Sequence, residues 1–63
     1  MGSYRAPPAT LMQVWRLYRN QCRPIGQLTV EARAGILPGV EQNPAGTLIV
    51  TNRRAAIAAM SKE

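Results

Sequence analysis

Val40-Glu41-Gln42-Asn43-Pro44-Ala45-Gly46-Thr47-Leu48-Ile49-Val50 interrupts a chain that is otherwise patterned for helices. Thr47 to Val50 is rich in β-branched residues, whose crowded Cβ atoms fit a pleated strand better than a helical turn. Val40 to Gln42 is a candidate short strand. Between them, Asn43-Pro44-Ala45-Gly46 has turn chemistry: the fixed φ of proline suits the second position of a type I turn, and glycine suits the fourth. The stretch predicts a β-hairpin. With helical pattern on both sides of it, the expected class is α+β.

Upstream lies Gly35-Ile36-Leu37-Pro38-Gly39, a short apolar anchor and a turn. Before it, residues 25–34 fit a short helix. Ile25, Leu28 and Ala32 form its narrow buried face, with Thr29 beside them, and Gly35 stands where a left-handed C-cap is needed. A longer helix is expected over 10–22. Thr10 can N-cap it, with Gln13 three residues on completing a capping box. Leu11, Val14, Trp15, Tyr18 and Cys22 make its apolar stripe, and Gln13, Arg16, Arg19, Asn20 and Arg23 its polar side. Pro24 marks the boundary, because the residue before a proline is pushed away from helical geometry. Trp15 and Tyr18 are expected to anchor the core, since large rings carry the most buried area. Pro7 and Pro8 favour an extended, flexible arm over residues 1–9, leaving one domain over 10–63. Downstream of the hairpin, Thr51 or Asn52 can cap a last helix, Ala-rich from Arg53 to Met60, with Ile57 and Met60 facing the core.

With 63 residues, such a domain has a thin stability margin. Cys22 is the only cysteine, so an internal disulfide is excluded, and with no histidine a closed zinc site is not expected. The chain has eight Lys or Arg against three Asp or Glu, a net charge of +5. Seven of the eight cations are Arg, whose planar fork suits phosphate and guanine. That balance points to a polyanionic partner. No run approaches the length of a membrane span, and Met1 to Arg5 leads into prolines rather than an apolar signal core. A lone thiol fits a reducing, cytoplasmic setting, here nucleoid-associated. Catalysis is not expected. The acids Glu31, Glu41 and Glu63 are scattered, Cys22 has no imidazole to activate it, and there is no glycine-rich phosphate loop. No cofactor and no metal are expected.

The order helix, short helix, hairpin, helix is that of a small winged helix-turn-helix, with the hairpin as wing. Gly35-Ile36-Leu37-Pro38-Gly39-Val40, followed by a hairpin and a helix, resembles the phage excisionase family of recombination directionality factors. The opening Thr10-Leu11-Met12-Gln13-Val14-Trp15 is similar to the start of an excisionase. The resemblance spans roughly residues 10–60. It implies a non-enzymatic protein that binds double-stranded DNA beside a phage attachment site and bends it. It further implies a phage-type integrase as partner, head-to-tail self-association on DNA, a helix in the major groove and a wing in the minor groove.

Residues suited to these roles are spread over four segments. On the second helix, Gln27, Val30 and Ala34 lie opposite the buried face, and Glu31 and Arg33 flank them. Gln can bond adenine, Arg guanine, and a small apolar group such as Val30 can touch a thymine methyl. Val30 and Ala34 could instead pack under the arm. Gly26 could let the helix start approach a phosphate, or could simply punctuate a loop. Arg53 and Arg54 sit in the first turn of the last helix, where the dipole disfavours cations, so a phosphate contact would explain them. Arg16, Arg19 and Arg23 are candidate neutralisers of the DNA backbone. On the wing, Gln42 and Asn43 can read minor-groove acceptors. Wings of this type usually carry Lys or Arg, whereas this one carries Glu41, which phosphate would repel. Two other readings are a small phage or plasmid transcription regulator of the same fold, and a protein-interaction module that uses its wing.

Overall fold

The computed structural model describes residues 8–62. It comprises three helices, α1 (Leu11–Tyr18), α2 (Ile25–Arg33) and α3 (Arg53–Met60), and a hairpin of β1 (Val40–Gln42) and β2 (Leu48–Val50) between α2 and α3. The strands are antiparallel, with Val40 opposite Val50 and Gln42 opposite Leu48. The α+β class read from the sequence is thus observed. Most of the expected arm, residues 1–7, lies outside the described residues.

Local chemistry explains each boundary. Thr10 Oγ1 accepts from the Gln13 N–H at 3.2 Å, and the Gln13 amide oxygen accepts from the Thr10 N–H at 2.9 Å, so the capping box forms as expected. The α-helix is shorter than the 10–22 expected. It ends at Tyr18 and tightens into a 3₁₀ turn over Arg19–Gln21. Pro24 forbids a helical Arg23, and the backbone leaves the helix to pair with the chain's other end. The Arg23 N–H donates to the Met60 carbonyl and the Lys62 N–H to the Gln21 carbonyl, both at 2.8 Å.

α2 ends in a Schellman motif. The Ile36 N–H reaches the Glu31 carbonyl at 3.0 Å, the Gly35 N–H reaches the Ala32 carbonyl at 3.1 Å, and Gly35 takes φ 77°. In the hairpin, the Gly46 N–H closes the turn on the Asn43 carbonyl at 2.8 Å. Asn52 rather than Thr51 caps α3, its Oδ1 accepting from the Ala55 N–H at 3.1 Å. Thr51 instead turns its hydroxyl and N–H to the Gly39 carbonyl. Gly39 has φ 76°, and a Cβ there would fall on the Asn52 carbonyl oxygen and within 2.7 Å of the Ala56 nitrogen. Only glycine lets the hairpin base sit this close to α3.

Leu11, Val14, Leu28 and Met60 are fully enclosed, with Cys22, Ala32, Leu37, Val40, Val50 and Ala56 around them. Trp15 and Tyr18, expected as anchors, are half-buried and pack against this core from outside. A core closed by short aliphatic side chains is too small to surround an indole. Ile25 and Ile57 likewise sit at its rim. The chain before α1 is tied down as well: the Ala9 carbonyl accepts from the Val50 N–H at 2.8 Å, and Thr10 bridges to Ile49. Among the described residues no helix is long and apolar enough to cross a membrane.

Candidate nucleic-acid interface

α2 presents two flanks on either side of its buried line through Leu28 and Ala32. At about 100° per residue, Gly26, Val30 and Arg33 fall on one flank at spacings i, i+4 and i+7. Gln27 and Glu31 fall on the other.

The Gln27–Glu31 flank is closed. Arg23 grips the Glu31 carboxylate with both ends of its guanidinium, at 2.8 and 2.9 Å. The same side chain donates to the Ala59 carbonyl at 2.8 Å, tying α2 to the end of α3. The Gln27 amide donates to Glu31 at 3.3 Å. The Arg23 guanidinium, through its hydrogen bonds, holds the Glu31 carboxyl below the ordinary glutamate range. Arg23, expected among the phosphate contacts, is therefore part of the scaffold. A fork already engaged by a carboxylate and a carbonyl has little left to offer a phosphate.

The Gly26–Val30–Arg33 flank is open. Val30 is 68% exposed, Arg33 is exposed, and a Cβ at Gly26 would meet nothing within 4 Å. Arg33 lines a groove of about 420 Å³ with Met12 of α1, Thr29 of α2, and Gly46 and Thr47 of the hairpin loop. Met12 and Arg16 on α1 and Arg19 in the 3₁₀ turn that follows share the same i, i+4, i+7 spacing, and all three are exposed. Two stripes, one from each helix, thus meet at the Met12–Arg33 groove. Among the described residues, no side-chain hydrogen bond or ion pair engages Arg16, Arg19 or Arg33. Neither the stripe pairing nor the Arg23 clamp was read from the sequence; the i, i+4 spacing of Gln27 and Glu31 was the only local signal of the closed flank.

The wing differs from expectation. Asn43 Oδ1 accepts from the Thr47 N–H at 2.8 Å, and the Gln42 amide donates to the Gly46 carbonyl at 3.1 Å. Both side chains, expected in the minor groove, help to build the loop instead. Glu41 is exposed and has no ion-pair partner among the described residues. It lines the outer hairpin face with Pro8, Ile49 and Thr51. Arg53 and Arg54 are exposed at the start of α3, beside the hairpin base rather than the groove at its tip.

Cys22 is buried, and desolvation pushes its thiol above the ordinary range. No cluster of potential metal ligands occurs among the described residues. Comparison with family models, curated proteins and solved structures returns no match to this chain.

Proposed function

We propose that this chain is a non-catalytic protein that binds double-stranded DNA. In this reading α1 and α2 form a helix-turn-helix, the hairpin is its wing, and the role is that of an excisionase-like factor that bends attachment-site DNA and steers an integrase toward excision. One observation carries the binding reading: the side chains of Arg16, Arg19 and Arg33 are exposed and engage no partner among the described residues, whereas Arg23 is locked against Glu31. Arg16 and Arg19 neutralise phosphates, while Arg33 and Val30 reach base edges in the major groove. Gly26 lets the start of α2 come close to the backbone. Arg53 and Arg54 supply a second, more distant backbone contact. Gln27 sits at the edge of the interface, and Arg23, Gln42 and Asn43 support it from within the fold. The excision role itself rests on the resemblance of residues 35–40 and 10–15.

Footprinting and circular-permutation gel shifts on attachment-site and promoter duplexes test this. Protection beside the attachment site with an anomalous, bend-dependent mobility is the expected result. Protection confined to a promoter would replace the excision role with that of a transcription regulator. Failure to retain any duplex at low salt would sink the reading.

A second reading has one observation behind it. The outer face of the wing offers Glu41, Ile49 and Pro8, a surface unsuited to phosphate. It fits a protein partner, the integrase or a neighbouring copy, while α2 holds DNA.

A further inference from the structure

Val30 is an apolar side chain, 68% exposed, at the middle of α2. Its neighbours one turn away on either side are Gly26 and Ala34, so it projects from an otherwise low surface. A Cβ at Gly26 or at Gly35 would meet no atom within 4 Å, so nothing in the fold shelters it. Arg33 lies on the same flank, and Arg16 on α1 and Arg19 in the turn after it are exposed cations. An exposed apolar side chain beside the Arg33 cation suits a ligand that is anionic at its edges and apolar at one point. The major groove of DNA has that character, because the 5-methyl group of thymine stands between two phosphate walls.

We propose that Val30 is a specificity residue that reads the 5-methyl group of a pyrimidine in the major groove. This rests on the DNA-binding reading above. The longer-range attraction comes from the guanidiniums, and the methyl contact sets the register of α2 on the base pairs. Arg33, three residues on, then falls at the next base or phosphate along the groove.

The test begins with a duplex selected from a random pool by the full chain. Each thymine in the protected stretch is replaced singly by deoxyuridine, which removes only the methyl group. One replacement should weaken wild-type binding by roughly fourfold, the value of one buried methyl-sized group. Val30→Ala should bind the thymine duplex more weakly by a similar factor and should no longer distinguish uracil from thymine. Because Val30 is exposed, the variant should keep the wild-type melting curve, and circular dichroism checks that it does. Indifference of the wild type to every uracil, or a selected site without thymine, overturns the methyl contact while leaving DNA binding intact. A uracil effect that persists in Val30→Ala assigns the contact to another residue. If no duplex is selected at all, both readings fail together.

Discussion

The two flanks of α2 differ in what their polar groups are asked to do. On the side facing α3, Arg23 and Glu31 satisfy each other, and the spare guanidinium donor finds the Ala59 carbonyl. On the other side, Arg33 has Thr29, Met12 and the hairpin loop for neighbours, with no partner for its charge among the described residues. Both flanks belong to one nine-residue helix, so neither composition nor helix propensity separates them. What separates them is whether a second element supplies a counter-group. A paired cation holds the fold together, and an unpaired one is available to a ligand. Net charge alone cannot tell the two apart.

Substitutions can break this contrast or sharpen it. The largest effect is expected where the shared platform fails. Gly39→Ala places a methyl group against the Asn52 carbonyl and forces alanine to φ 76°. It should cost about 3 kcal/mol or more, enough to leave so small a domain largely unfolded by thermal melting. Next comes the closed flank. Arg23→Ala removes the grip on Glu31 and the bond to Ala59, and should lower the melting temperature by several degrees.

The same pair predicts a pH dependence. The folded-state pKa of Glu31 is depressed, so its stabilising contribution is present above the ordinary glutamate value and is lost as pH falls through the folded value. Melting temperature should therefore fall with pH in the acid range below the ordinary glutamate value, and Arg23→Ala should flatten that fall. On the open flank, Arg33→Ala should change stability by no more than about 0.5 kcal/mol, while relaxing sequence preference in a selection experiment. The smallest effect is at α3. Arg53→Ala removes a cation from the positive end of a helix and should raise stability by about 0.3 kcal/mol at low salt, an increment that added salt erases.

Much of this fold was legible because its signals are local. Thr10 with Gln13, Gly35 after α2 and the Asn43-to-Gly46 turn each act over a few residues, and each is where the sequence places it. The missing parts are contacts between distant segments. Ala9 meets Val50, Gln21 meets Lys62, and Arg23 meets Ala59, all separated by more than thirty residues. A sequence reading can place a cation on a polar helix side but cannot see the carboxylate that another element brings to it, which is why Arg23 was counted with Arg16 and Arg19. Gln42 and Asn43 are engaged locally for a related reason. Short amides in a tight loop bond the nearby backbone before they bond a ligand. Trp15 and Tyr18 were ranked by size, whereas the volume of the core, set by Leu11, Val14, Leu28 and Met60, decided who could enter it.

The salt dependence of duplex binding, compared between Arg16→Ala and Arg23→Ala at a temperature where both are folded, bears most directly on the division of labour between unpaired and paired cations. Each phosphate contact steepens the fall of log affinity against log salt by roughly 0.9. Loss of Arg16 should make the slope shallower by about one such unit, and loss of Arg23 should leave it unchanged. A wild-type slope near zero, or equal flattening by the two variants, would contradict the account.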